Sequence, residues 1–272
     1  MEYKTIEIRK SDGMVTISLN RPERLNAWTM RMHIEYRHAL KEADEDPDVR
    51  AIIVTGNGRG FCAGADSRAL EGVKEKGYGT TGQNEFVWPG GGVSEHFAAS
   101  FAYHFGLSKP VIAALNGPAA GVGLVLACYA DIRFSVPGVK LTTSHGKLNF
   151  PAEYGLSWVL PKLIGLGRAN DLLYTSRVFM SDEAFEFGLI NYLVPRGDLM
   201  EETRNYVKKM ITQVSPGSLR ETRRQVYKDL HRDVASSVNE SEALIVKMSE
   251  DHDFKEGLDA YLEKRTPRWE GR

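Results

Sequence analysis

The sequence lacks the features that mark several classes of protein. It has two cysteines, Cys62 and Cys128, in different segments and without a CxxC spacing. Neither a disulfide framework nor a zinc site is expected from them, and a reducing compartment is favoured. The formal net charge of -1 provides no basic excess that would attract nucleic acid. No run approaches the roughly 18 apolar residues of a membrane span, and the N-terminus has no apolar signal region. We therefore expect a cytoplasmic protein whose partners include neither nucleic acid nor a membrane.

The 272 residues instead show a recurring alternation of strand and helix patterns. "YKTIEIRKSDGMVTISLN" predicts a hairpin that turns at "SDG", and "TMRMHIEYRHALKEADEDP" predicts an amphipathic helix that stops before Pro47. The patterns "VRAIIVTG", "KPVIAALNG" and "DIRFSV" predict strands, whereas "SEHFAASFAYHFGLS" and "PAAGVGLVLACYA" predict helices, the former with Ser94 as its N-cap. After residue 196 the chain is charged and helical. These patterns predict a mixed α/β core over residues 1–195 and a helical region over residues 196–272.

Two glycine-rich turns are the candidate functional features. "GRGFCAGAD" and "NGPAAGVG" each follow a buried strand pattern. If a helix opens at such a turn, its first backbone N–H groups point outward and suit a negative oxygen. Two turns could then place one N–H each on a single substrate oxygen. Composition alone favours a simpler interpretation, in which small residues merely permit close packing. Neither turn has the pattern of a phosphate-binding loop.

Five segments together resemble the crotonase family, the enoyl-CoA hydratase/isomerases. They are "NRPERLNA", "VTGNGRGFCAGAD", "KPVIAALNGPAAGVGLVLACYADIRF", "MSDEAFEFGLINYLVP" and "FKEGLDAYLEKRTP", in order and over nearly the whole chain. The resemblance implies an α/β fold, a spiral of repeated ββα units followed by a C-terminal helical region that drives assembly into a homotrimer or a dimer of trimers. It also implies an acyl-CoA substrate, with coenzyme A as part of the substrate and no separate cofactor or metal.

The resemblance also implies roles for particular residues. The thioester oxygen would lie between the backbone N–H groups of Ala65 and Val122. The substrate-binding residues would be Arg24, Ala63, Asp66, Ser67, Arg68, Gly121, Tyr261 and Lys264. Arg24 and Arg68 would approach the CoA phosphates, and Tyr261 and Lys264 would reach the nucleotide bound to a neighbouring subunit.

The sequence departs from the hydratases where they use two glutamates to activate water. Val125 and His145 occupy those two positions, so water addition by the usual pair is in doubt. Glu153 lies eight residues after His145, at or near a position where some isomerases of the family keep an acidic side chain. A carboxylate in an apolar pocket has a raised pKa, and a histidine beside it would be favoured in its charged form. Glu153 and His145 are therefore the candidate catalytic side chains, and His145 would either tune Glu153 or act with it as a pair.

The leading hypothesis is that Glu153, assisted by His145, moves a proton while the two N–H groups stabilise a thioester enolate. Isomerisation of a double bond or hydration of an unusual enoyl-CoA would result. One alternative is a C–C hydrolase of the same fold that acts on a β-diketone without CoA, and another is a non-catalytic acyl-CoA binder. We expect Asp131 to cap a turn or the backbone, His96 and His104 to pack, and the segment around Trp88 to cover the acyl chain.

Overall fold

The computed structural model of the chain describes residues 1–67 and 95–271, so Arg68, Trp88 and Ser94 lie outside the described residues. Within these ranges the strands are β1 (Ile6–Ser11), β2 (Met14–Leu19), β3 (Ala51–Gly56), β4 (Val111–Leu115), β5 (Ala119–Ala120), β6 (Ile132–Ser135), β7 (Lys140–Thr142), β8 (Phe179–Met180) and β9 (Tyr192–Leu193). The α-helices are α1 (Met30–Glu45), α2 (Val122–Cys128), α3 (Leu156–Ile164), α4 (Leu166–Thr175), α5 (Ser181–Glu186), α6 (Leu199–Gln213), α7 (Pro216–Asp229), α8 (Val234–Met248) and α9 (His252–Glu263).

The larger sheet determines where the glycine-rich turns lie. Its strand order is β1-β2-β3-β4-β6-β9, and every pair except the β1–β2 hairpin is parallel. β5, β7 and β8 form a separate small sheet. All residues of β2, β3 and β4 are buried, as expected for strands covered on both faces. Since β3 and β4 are parallel neighbours, the turns that follow them leave the same edge of the sheet.

The predicted hairpin and the first predicted helix are confirmed. Asp12 and Gly13 both have positive φ, 50° and 75°, which is the conformation that a tight two-residue hairpin turn requires. Helix α1 begins after Thr29, whose side chain accepts a hydrogen bond from the backbone N–H of Met32 at 3.1 Å. Residues within each element or next to it therefore determine where the hairpin turns and where the helix begins.

The single helix predicted from "SEHFAASFAYHFGLS" is wrong. The structure has two short 3₁₀ helices there, Glu95–Phe97 and Ala102–Gly106, and the backbone between them turns at Phe101 with φ of 63°. Four consecutive residues, from Tyr103 to Gly106, are all buried. One helix could bury only one stripe of its surface, so tertiary packing prevails over the helical pattern.

Asp131 joins the helical region to the core. Its carboxylate accepts a hydrogen bond from the backbone N–H of Val111 at 2.6 Å, which confirms the expected backbone-capping role. It also pairs with Nε of Arg223 at 2.9 Å and accepts a hydrogen bond from Tyr227, both on α7. Arg223 also donates to the backbone carbonyl of His104 at 2.6 Å. The predicted boundary near residue 196 falls between β9 and α6, and α6 itself packs on β3, β4 and β6.

We predict that replacing Arg223 by leucine destabilises the protein strongly. The substitution would leave the largely buried Asp131 carboxylate without its cation, and breaking such a pair typically costs about 3–5 kcal/mol. The free energy of unfolding in urea measures the loss. Arg224→Leu is the matched control, since the side chain of Arg224 on the same helix is 42% exposed and its ion pair with Glu221 should contribute little. Equal stabilities of the two variants would contradict the prediction.

Candidate active site

The two glycine-rich turns lie in direct backbone contact. Cys62 and Ala119 form a parallel β-bridge, and the N–H of Ala120 donates to the carbonyl of Cys62 at 3.0 Å. A Cβ atom on Gly123 would lie 2.0 Å from that carbonyl oxygen, and one on Gly117 would lie 1.9 Å from the oxygen of Arg59. Real Cβ contacts are never so short, so both positions require glycine for this approach.

The backbone of the first turn directs the N–H of Ala65 away from its neighbouring segment. The N–H of Trp28 donates to Gly64 at 2.7 Å, and Asp66 donates to Trp28 at 3.0 Å. In a parallel bridge of this kind, the intervening residue presents its own N–H to the opposite side. No hydrogen bond within residues 1–67 and 95–271 takes up the Ala65 N–H, and Ala65 is exposed.

The second turn presents the N–H of Val122. Val122 is the first residue of α2, so its N–H lies among those that have no partner in the previous turn of the helix. Gly121 adopts φ of 47° and ψ of −118°, and its own N–H donates to Thr142 at 3.0 Å. A Cβ on Gly64 would lie 3.0 Å from the carbonyl oxygen of Ala120. Gly64, the residue before Ala65, therefore lies against Ala120, two residues before Val122.

Glu153 lies beside the second turn. Its Oε2 would be 3.9 Å from a Cβ built on Gly121, the residue before Val122. Glu153 begins the short 3₁₀ helix Glu153–Gly155, which leads directly into α3. The side chain is half-buried, and this burial raises the pKa of its carboxyl. The hydroxyl of Tyr129 donates to the carbonyl of Tyr154 at 2.7 Å and anchors the segment.

Among the described residues, no hydrogen bond joins His145 to Glu153, and a catalytic role for His145 stays a prediction. His145 is 6% exposed and begins the 3₁₀ helix His145–Leu148. Its Nδ1 has no hydrogen-bond partner within the part of the chain that the structure describes. Val125, at the other glutamate position of the hydratases, is fully buried. Glu153 is thus the acid that the structure places beside the turns.

The predicted substrate-binding residues near the first turn differ in burial and in hydrogen-bond partners. The carboxylate of Asp66 is buried and forms an ion pair with Arg21 at 2.8 Å, which links the first glycine-rich turn to the segment that follows β2. The N–H of Ala63 donates to the carbonyl of Leu25 at 3.0 Å, which ties the "RPERLNA" turn to the loop. Ala63, Ser67 and Arg24 are exposed.

The other predicted CoA contacts lie elsewhere or outside the described residues. Tyr261 and Lys264 are exposed near the end of α9, where Tyr261 is 81% exposed and lines a groove of about 600 Å³ among the C-terminal helices. Their contact with a neighbouring subunit stays a prediction. Arg68 follows Ser67 immediately and lies outside the described residues.

A cavity of about 400 Å³ lies next to the segment that carries Glu153, and the sequence analysis did not predict most of its walls. Its walls include His96, Phe105, Tyr129, Tyr154, Trp158 and His231. His96, which we expected to pack, lies in this wall, whereas His104 is buried and hydrogen-bonded to Tyr36 at 2.8 Å, as expected. Tyr129 follows directly on helix α2, and this position could have indicated its place in the cavity wall. His231 carries no motif and is brought to the cavity by the fold of the C-terminal helices.

Comparison with known proteins gives concordant similarities. The model of the family described as enoyl-CoA hydratase/isomerase matches residues 9–272. The chain is 31% identical over 283 aligned residues to a 1,2-epoxyphenylacetyl-CoA isomerase from Escherichia coli (strain K12), with all of both chains covered. It is 30% identical to a crotonyl-CoA hydratase from Syntrophomonas wolfei, with 97% of each chain covered.

Among solved structures, a putative enoyl-CoA hydratase from Streptomyces coelicolor A3(2) superimposes with a TM-score of 0.87 at 28% identity. That superposition covers 100% of this chain and 96% of the other. The similarity runs through the whole chain and confirms the fold class that the sequence motifs predict.

We predict that Gly123→Ala separates the two turns and destabilises the fold. The new methyl group would have to displace the backbone carbonyl of Cys62, and overpacking of this kind costs about 3 kcal/mol. Gly167→Ala is the control, because a Cβ at this helical position meets nothing within 4 Å and alanine favours a helix. Thermal unfolding of both variants measures the difference. A Gly123→Ala protein as stable as the wild type would contradict the contact.

Proposed function

Because the chain belongs to the enoyl-CoA hydratase/isomerase family, we propose that it is an enzyme that moves a proton beside the carbonyl of an acyl-CoA thioester. The observation that carries this proposal is the position of Glu153. A half-buried carboxyl with a raised pKa lies next to the turn that presents the N–H of Val122. A base and a site for a negative oxygen are the two groups that enolate chemistry requires.

In this proposal, the N–H groups of Ala65 and Val122 bind the thioester oxygen. Removal of a proton from the carbon next to the carbonyl, or from a position conjugated with it, places negative charge on that oxygen. Donors that are already oriented stabilise this charge without reorganisation, and one donor is typically worth about 10²–10³ in rate. The first turn needs no reactive side chain for this role, because its backbone supplies the donor.

The absence of glutamate from both hydratase positions favours isomerisation over hydration. One carboxylate can remove a proton from one carbon and return it to another, which shifts a double bond and consumes no water. The usual hydratase mechanism uses two glutamates, and here Val125 and His145 occupy their positions. Val125 is buried and cannot transfer a proton. We therefore assign the proton transfer to Glu153 and a double-bond shift as the reaction class.

The proposed substrate class rests on the relatives and on the first turn. The E. coli and S. wolfei relatives are both named for reactions of CoA thioesters. In this chain, the exposed Arg24 lies in the turn whose Leu25 carbonyl binds the N–H of Ala63. A guanidinium at this position suits a phosphate of CoA. Arg68, just beyond the described residues, is the second proposed phosphate contact.

We predict that Glu153→Gln abolishes most turnover and leaves binding intact. Glutamine keeps the size and the hydrogen-bonding capacity of the side chain but cannot accept the proton. The rate constant kcat should fall about 10²–10⁴-fold, the usual contribution of a positioned acid–base group. Mass spectrometry of enoyl-CoA substrates measures turnover, and calorimetry with a saturated acyl-CoA measures affinity.

The pH profile identifies Glu153 as the base in the same experiment. Only the ionised carboxylate accepts a proton, so kcat/KM should rise as the pH passes through a pKa above the ordinary 4.5. Glu153→Gln should lack this limb, and Glu186→Gln, an exposed control on α5, should retain it. Wild-type turnover by Glu153→Gln would reject the mechanism.

We further propose that the protein is a homo-oligomer, a trimer or a dimer of trimers. Helices α8 and α9 expose several large apolar side chains that a single chain leaves uncovered. They are Val234 at 78%, Ile245 at 68%, Val246 at 66%, Tyr261 at 81% and Leu262 at 68% exposure. Apolar surface of this extent typically marks an interface.

We predict that light scattering gives a mass of about three or six times the 30.4 kDa of one chain. Ile245→Glu should lower this mass, because a carboxylate is not tolerated in an apolar interface. Leu148→Glu is the control, since Leu148 is also exposed but lies outside the C-terminal helices. A wild-type protein that is monomeric at every concentration would contradict the assembly.

A further inference from the structure

The cavity of about 400 Å³ continues from the segment that carries Glu153. Tyr154 and Gly155, the two residues after Glu153, line it. The hydroxyl of Tyr129, which also lines it, holds the carbonyl of Tyr154. A cavity of this size falls in the range of small-molecule sites. The cavity is therefore adjacent to the proposed base and large enough for an acyl group.

Aromatic rings form most of the wall. Phe105 lies 5.0 Å from Tyr129 and 6.2 Å from Trp158, measured between ring centroids. Phe97 meets Phe105 edge to face at 5.8 Å and 86°. These rings have few torsions and hold a fixed shape, and aromatic pairs prefer centroid separations of this order. A planar ring would gain such contacts and lose less conformational freedom on binding than a linear chain of equal carbon count.

One end of the cavity is polar. The imidazoles of His96 and His231 stack at 4.8 Å, and His231 stacks in turn on Trp158 at 5.7 Å and 11°. The pKa of His231 is lowered, first by burial and then by the nearby His96 and Lys162, so its neutral form is favoured. A neutral imidazole has one donor and one acceptor nitrogen. Both histidines are exposed, so their ring nitrogens are accessible to a ligand.

The described lining residues include no acidic side chain. The two histidines are the ionisable basic groups among them. Lys162 lies just outside, with its Nζ 3.8 Å above the ring of Trp158. This end therefore suits an oxygen that accepts hydrogen bonds and does not suit a cation.

We propose that this enzyme takes an aromatic acyl group that carries a hydroxyl or carboxylate at its far edge, and that His231 and His96 bind this substituent. The proposal rests on the proposed function and names its substrate class. The ring lies between the aromatic walls, with its thioester at the glycine-rich turns. The two histidines determine specificity and take no part in the proton transfer.

Calorimetry with unreactive saturated CoA thioesters tests the proposal. Phenylpropanoyl-CoA and nonanoyl-CoA have the same number of acyl carbons, and para-hydroxyphenylpropanoyl-CoA adds the polar edge. The dissociation constants should fall about three- to tenfold from nonanoyl to phenylpropanoyl, and about three- to tenfold again with the hydroxyl, as one aromatic contact and one hydrogen bond predict.

Variants separate the two parts of the specificity. His231→Phe keeps the stacked ring but removes its nitrogens, so it should lose the preference for the hydroxyl and keep the preference for the ring. Trp158→Leu should reduce the preference for the ring. His38→Phe, on α1 and outside the cavity, is the matched control and should change neither. If thermal unfolding shows that His231→Phe does not fold, His96→Phe replaces it.

The outcomes distinguish this inference from the proposed function. Nonanoyl-CoA that binds as tightly as phenylpropanoyl-CoA would overturn the aromatic assignment. An unchanged hydroxyl preference in His231→Phe and in His96→Phe would overturn the role of the histidines. In both cases the enzyme would still bind thioesters and depend on Glu153. Failure of all three thioesters to bind the wild-type protein would instead reject the proposed function.

Discussion

The close backbone contact between the two glycine-rich turns is the constraint on which the proposed chemistry depends. Gly117 and Gly123 lie where a Cβ would meet a carbonyl oxygen at 1.9 and 2.0 Å, so only residues without a side chain allow the turns to touch. The turns leave β3 and β4, which are parallel neighbours, and the sheet register therefore fixes them relative to each other. A backbone donor that is held in this way needs no side-chain reorganisation, which preorganised stabilisation of charge requires.

The elements that the sequence predicts well are those that depend on neighbouring residues. The hairpin follows from Asp12 and Gly13, and helix α1 follows from its apolar spacing and the cap at Thr29. The segment around Phe101 fails because its conformation depends on burial against distant elements, which overrides its helical pattern. Arg223 shows the same limit, since its partner Asp131 precedes it by 92 residues and no local pattern joins them.

In the candidate site, too, local motifs indicate some residues, whereas the partners of other residues depend on distant contacts. The family motifs indicate Ala65, Val122 and Glu153, and the structure places Glu153 and the two turns beside one another. The motifs do not reveal that the Asp66 carboxylate faces Arg21, or that His145 is buried without a hydrogen bond to Glu153 within the described residues. Such partners depend on side-chain directions, and a spacing of eight residues in an irregular segment does not determine them.

Burial of Glu153 has opposite effects on stability and on the proposed activity. Because its pKa is raised in the fold, ionisation of Glu153 lowers stability as the pH rises from the unfolded-state pKa through the folded-state pKa. The same shift moves the carboxyl toward the pH at which a base is effective, so a loss of stability accompanies function. Tyr129 links this acid to the cavity, since its hydroxyl holds the carbonyl of Tyr154 while its ring lines the wall. The proposed base and the proposed acyl site therefore both depend on Tyr129, since a substitution that reshapes this wall would also remove the hydrogen bond that holds the segment of Glu153.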